Sequence, residues 1–132
     1  MLVKFNLKTT SQEGFYPITE MARSAVAQSQ IRHGLAVVYC PHTTAGVTIN
    51  ENADPTVVKD LLLGLERAFP DNPAFKHLEG NSRAHLKALA VGSSVHVIVE
   101  AGELVLGTWQ GIFFGEFDGP RNRVFYVKIL AS

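Results

Sequence analysis

The sequence predicts an α+β fold: a single domain over residues 1–132, with three helices laid against largely antiparallel β-sheet layers. Three observations carry this. A chain of 132 residues is the usual size of one hydrophobic core. Its apolar spacing switches between a period of two and one of three to four. The resulting order is strand, helix, two strands, two helices and four strands, with no internal repeat and none of the strand–helix alternation of a doubly wound sheet.

Val3, Phe5 and Leu7 alternate with Lys4, Asn6 and Lys8, which predicts a strand with one buried and one solvated face. A turn is expected at Ser11 to Gly14. Ile18, Met21, Ala22, Ala25 and Val26 then recur as the stripe of an amphipathic helix from Thr19 to about Gln30. Leu35 to Cys40 is a continuous apolar run, expected to be covered on both faces and stopped by Pro41. Gly46 to Asn50 predicts the next strand. Asp54-Pro55 is a helix start, since Asp accepts from free backbone amides and Pro loses none at the first position. That helix should bury Val58, Leu61, Leu62, Leu65 and Phe69 until Pro70 ends it.

An exposed loop is predicted over Asp71 to Glu79, and a short helix from Ser82 to Ala90, capped by Ser82 or Asn81, with Leu86 and Leu89 facing inward. Val95, Val97 and Val99 mark a strand, Ala101-Gly102 turns it into Leu104 to Leu106, and Gly111 to Phe117 and Val124 to Leu130 form the last pair. These four strands suit a meander.

Composition removes several function classes. The formal net charge is zero, which gives no reason to expect nucleic acid or an anionic membrane as partner, and Arg121 and Arg123 read as a solvated turn. The amino terminus lacks a signal peptide's apolar core, and no segment is long enough to span a bilayer. Cys40 is the only cysteine; among apolar neighbours it reads as a buried thiol, and the chain suits a reducing cytoplasm.

Chemistry is expected where polar residues collect at element ends. Of five histidines, His33 reads as a surface cap and His96 as structural, whereas His42, His77 and His85 stand in polar stretches. On one straight helix His77 and His85 would be roughly 12 Å apart, but Gly80 breaks such a helix. His85 would then fall in the first turn of a helix, where the dipole favours a neutral imidazole fit for a metal or a base. Glu51, Asp54 and Glu79 add negative charge, while helix starts at Pro55 and Ser82 offer free amides to an anion. Both features together suggest a phosphate or diphosphate bridged by a divalent cation; the plain alternative is that Asp54 and Ser82 are caps. Trp109-Gln110 suits either ring stacking or core filling.

Three stretches in this order, HTTAGVTINENADP (42–55), HLEGNSRAHLKALAVGSSV (77–95) and LVLGTWQGIFFGEFDGPR (104–121), resemble the YjbQ-like family over nearly the whole chain. The resemblance implies a homotrimer of α+β domains and a weak thiamine-phosphate synthase activity, in which a pyrimidine diphosphate and a thiazole phosphate condense and release diphosphate. It carries over His42, Thr43, Thr44, Asn50, Glu51, Asp54, His77, Glu79, Gly80, Asn81, Ser82, His85, Thr108, Trp109 and Gln110. The departures lie in the loop Asp71 to Lys76 and in the first two elements, which leaves substrate preference open.

The leading expectation is therefore a trimeric enzyme acting on a small phosphorylated metabolite. His42, His77 and His85 would hold a divalent cation, zinc or magnesium. Glu51, with His42 and Asp54, would carry the catalysis, Glu51 as base or as partner to a ligand. Thr43, Asn50, Glu79, Gly80, Asn81, Ser82, Thr108, Trp109 and Gln110 would bind substrate, the Gly80 to Ser82 amides taking phosphate and Trp109 stacking on a ring. The alternatives are a non-catalytic metabolite-binding module and a metal-dependent hydrolase.

Overall fold

The computed structural model describes all residues from Met1 to Ser132. The elements run β1 (Leu2–Lys8), β2 (Gly14–Pro17), α1 (Thr19–Ser29), β3 (Gly34–Tyr39), β4 (Ala45–Glu51), α2 (Pro55–Ala68), α3 (Ser82–Val91), β5 (Ser94–Glu100), β6 (Glu103–Leu104), β7 (Gln110–Glu116) and β8 (Asn122–Ala131). Every pairing is antiparallel, and the three helices and antiparallel sheets are those the sequence predicts. Two sheets form: a five-stranded one in the order β1-β8-β3-β5-β6 and a three-stranded one in the order β2-β7-β4.

The core lies between them. Ile112 and Phe114 of β7 and Val47 of β4 meet Phe125, Val127 and Ile129 of β8 and Ala36 and Val38 of β3. Phe125 stacks on Phe5 at 5.1 Å and lies 6.1 Å from Phe114, so one aromatic column crosses both layers. The predicted stripe of α1 seals this core through Ile18, Ala22, Ala25 and Val26, whose small side chains let the helix approach closely.

The structure differs from the expectations where tertiary pairing overrides local pattern. A four-residue strand, β2, follows the expected turn; it is too short to show a period and exists because it pairs with β7. The last strands are no meander: β5 and β6 form a hairpin, but β7 enters the small sheet while β8 inserts between β1 and β3. On α2 the apolar stripe is only half-covered, and no residue is fully buried. On α3 the inward face carries Ala84, Lys87 and Ala88, and Leu89 is 79% exposed. Lys87 is sealed in because Glu13 and Glu66 both receive its ammonium, and Arg83 also binds Glu66 at 3.1 Å. β3 and β5 are covered on one face only, so Tyr39, Ile98 and Leu130 stand on an open apolar sheet face.

One close approach sets the position of α3. A Cβ at Gly46 would lie 2.4 Å from the carbonyl oxygen of Gly92, which accepts from the Val47 amide at 3.1 Å. The α3 terminus is thereby held against the start of β4. Gly46→Ala should destabilise the chain by about 1–3 kcal/mol through overpacking, read as a lower urea midpoint with unchanged m; an unchanged midpoint would contradict this contact.

Candidate functional site at the start of β4

β8 runs past the last β3 pairing, Tyr39 with Tyr126, and leaves the backbone of Val124 without a strand partner on that side. Pro41 ends β3, and the next residue fills the gap with its side chain. His42 Nε2 lies 3.0 Å from Val124 N and 3.1 Å from Val124 O. Accepting from the amide places the imidazole proton on Nδ1; donating to the carbonyl leaves Nδ1 free as a ligand or base. Burial, reinforced by the nearby Arg123 charge and opposed by the Val124 carbonyl, pushes the His42 pKa down, so the neutral ring is favoured.

His77 and His85 reach the same place from another direction. A turn closed by Gly80 N donating to His77 O at 3.1 Å, with Gly80 at φ +72°, brings His77 beside the first turn of α3. The two rings stand edge to face with centroids 5.4 Å apart, and Glu79 Oε1 lies 4.0 Å from His77 Nε2. Asn81 sits at the cap position but makes no cap bond with its side chain: its Nδ2 donates to Asp118 Oδ2 at 2.9 Å. Its Oδ1 is the one buried side-chain polar atom without a partner.

These groups line a cleft of about 430 Å³ with Thr43, Thr44, Arg121 and Arg123. A more apolar hollow of about 320 Å³, walled by Ala45, Ala88 and Leu89, shares His42, Thr43 and His85 with it. All three histidines thus reach one cleft. They do not converge as a three-residue ligand group: His77 and His85 are the close pair, and His42 faces them as part of the wall.

Beneath lies a charged network that the sequence reading missed. Arg123 and Glu116 are 3% and 0% exposed. Arg123 Nε donates to Glu116 Oε1 at 2.8 Å, and Nη2 donates to Glu116 Oε2 and to Thr44 Oγ1, the latter at 2.8 Å. Thr9 Oγ1 and the Asp118 amide add donors to Glu116 at 2.8 and 3.0 Å. Burial alone would raise the Glu116 pKa, but the bonds from Arg123, Asp118 and Thr9 outweigh it and hold the carboxyl below its ordinary value. The solvated turn expected of Arg121 and Arg123 is true only of Arg121, which is exposed and braces the loop through Asp118. A sequence signal existed: Glu116 is in phase with the inward Ile112 and Phe114, and Arg123 with Phe125, Val127 and Ile129.

The other expected site residues lie at the far end of β4, six residue steps or about 20 Å away. Glu51 pairs with Gln110 and Asn50 with Gly111, and the Asn52 amide donates to Trp109 O at 2.8 Å. The GTWQG stretch therefore meets Glu51, not the histidines. Gln110 Oε1 accepts from Gly107 N at 2.8 Å, Trp109 is 64% exposed, and Thr108 is exposed. Glu51 and Asp54 line a separate hollow of about 360 Å³ walled by Phe15 and Phe113. Asp54 acts as the cap of α2: its Oδ1 accepts from Thr56 N at 2.9 Å and Thr56 Oγ1 at 2.7 Å, which lowers its pKa. Within one chain, Glu51 and Asp54 do not reach His42.

Residues 3–132 match the family described as UPF0047 protein YjbQ-like. The chain belongs to that family. It is 54% identical to a UPF0047 protein of Methanocaldococcus jannaschii over 100% of this chain and 96% of the relative, and 50% identical to YugU of Bacillus subtilis over 98% and 99%. Solved UPF0047 structures agree: an uncharacterised protein from Clostridium acetobutylicum superposes with TM-score 0.95 at 54% identity over 97% and 99% of the chains. One of unknown function from Sulfolobus solfataricus gives 0.95 at 31% over 100% and 97%. These relatives bring the YjbQ-like fold to the chain; none of their descriptions names a reaction.

Because the folded Glu116 pKa lies below its unfolded value, its stabilisation is present above the unfolded pKa and lost as pH falls through the folded one. Glu116→Gln should cost about 3–5 kcal/mol near neutrality by leaving Arg123 without its charge partner and should flatten the acid limb of Tm against pH. A variant whose acid limb matches the wild type would contradict the assignment.

Proposed function

We propose that the histidine cleft is a metal-assisted phosphate or diphosphate site on a small phosphorylated metabolite, and that the chain is a weak transferase of the thiamine-phosphate synthase type. The observation that carries this reading is the meeting of His42, His77 and His85 in one cleft with the α3 amino terminus, Arg121 and Arg123. Formal charge in the lining is balanced, Arg121 and Arg123 against Glu79 and Asp118. A further cation would therefore add to the hold that the two arginines have on a phosphate.

The donor set suits a divalent ion. His77 and His85 are close enough to share one, and Asn81, whose Oδ1 has no partner, lines the same cleft. Imidazoles favour zinc over magnesium. His42, with Nε2–H donating to Val124 O, would offer Nδ1 to the substrate as a base rather than to the ion. Such an ion would neutralise phosphate charge and polarise the bond to the leaving group. The Gly80 to Ser82 backbone then orients the anion at the helix start, and Glu79 is the carboxylate nearest the histidines. Glu51, Asp54 and Trp109 join this chemistry only if a neighbouring subunit brings them in.

Assembly as a homotrimer fits the open sheet face, where Leu35, Val37 and Tyr39 of β3, Tyr126 and Leu130 of β8 and Ile98 of β5 form a mostly apolar surface interrupted by His96 and Lys128. No helix is long and apolar enough to cross a membrane, and the one cysteine, Cys40, is a free, buried thiol. A non-catalytic metabolite-binding module is the second reading; the separation of Glu51 from the cleft favours it.

Wild type should retain a divalent ion through gel filtration and, given both the pyrimidine diphosphate and the thiazole phosphate, join them and release diphosphate. His77→Ala should lower metal affinity about 10-fold or more and abolish release. Equal metal content and release in both proteins would remove this reading, while metal binding without release would leave the binding module. Wild type should also sediment at three times 14.4 kDa, and Tyr39→Asp should shift it toward the single-chain mass; an unshifted variant would place the interface elsewhere.

A further inference from the structure

We infer that Arg123 is the anion-gripping floor of the histidine cleft, presenting a fixed pair of N–H donors to a phosphoryl oxyanion. A guanidinium has five N–H groups. The one on Nε and the two on Nη2 are consumed by Glu116 and Thr44, whose Oγ1 and O both accept from Nη2. The two on Nη1 have no protein partner. They are not sealed off either, since Asn81 Oδ1 is the only buried side-chain atom left without one. Arg123 lines the cleft and is 3% exposed, so the little of it that meets solvent does so there.

The arrangement is more than a structural ion pair requires. Burying a guanidinium costs several kcal/mol, and a pair of apolar side chains would fill the space at least as stably. What the pair adds is a cation held rigidly from behind, its edge opposite Glu116 left free. Oxyanion sites are built this way: donors fixed before the ligand arrives bind without paying to be ordered. The two Nη1 N–H donors diverge within the guanidinium plane, so each takes a separate oxyanion oxygen in a fixed direction, which a freely rotating lysine ammonium does not provide. Around the cleft, Arg121 adds an exposed cation, while Glu79 and Asp118 oppose an anion. Asp118 is already engaged by Asn81 and Arg121.

The inference rests on the phosphate reading of this cleft, but not on its metal. The deciding probe is wild-type protein with 15N-labelled arginine, titrated with inorganic diphosphate in the presence of zinc and again in a chelator. Held by its bonds, the Arg123 side chain should give resolved Nη1 and Nη2 signals, and diphosphate should move Nη1 while Nη2 stays. Calorimetry should show diphosphate affinity weakened about 10-fold or more in Arg123→Lys, and likewise in the paired Glu116→Gln/Arg123→Met, which removes both buried charges together. Nη1 signals unmoved at saturating diphosphate, or a folded variant of unchanged affinity, would overturn the inference. A chain that binds no metal but whose Nη1 signals move keeps it and removes the metal reading. Metal retention with immobile Nη1 signals does the reverse.

Discussion

The fold depends on one buried charge pair whose shared edge is fully hydrogen-bonded. Each ion taken from water costs several kcal/mol unless hydrogen bonds replace its hydration. Glu116 and Arg123 meet that demand by drawing partners from four places: Thr9 beyond β1, Thr44 at the β3–β4 corner, the Asp118 amide beyond β7, and each other across the β7–β8 connection. Those are the points where the two sheets join. The pair therefore aligns the corner bearing His42 with the loop that holds Asn81 through Asp118. The cleft inherits its geometry from the need to neutralise charge beneath it.

A second constraint is the length of β4. His42 precedes it and Glu51 ends it, so the polar stretch that reads as one site in sequence is stretched across the molecule. One end receives the histidine loop and α3, packed through the Gly46–Gly92 contact. The other receives the GTWQG turn and the α2 cap. Any chemistry using both ends needs a second chain, and the proposed trimer would supply one. Function and assembly are coupled on this reading by strand geometry alone.

The sequence made the scaffold legible where a period was long or a cap had a mechanism. The α1 stripe, the Asp54-Pro55 start and the alternation in β1 are read from local physics, and they stand in the structure. The meeting of His42, His77 and His85 at one cleft was legible as polar residues without a core role. Illegible were features decided by partners distant in the chain: β2, the insertion of β8 between β1 and β3, the inward Lys87, and Leu89 turned outward. Glu116 and Arg123 lie between. Their strand phase marks both as inward, but Arg123 also reads as part of a solvated turn with Arg121, and only the pairing across β7 and β8 decides between these.

The central claim is that the close histidine pair holds a divalent cation next to a bound phosphate. The most direct measurement is anomalous diffraction at the zinc edge from crystals grown with zinc and inorganic diphosphate. The account predicts an anomalous peak within bonding distance of His77 and His85, about 2.0–2.1 Å from each ligating nitrogen, with diphosphate density between it and Arg123. Zinc bound elsewhere, or diphosphate lodged at the Glu51 end of β4, would contradict it.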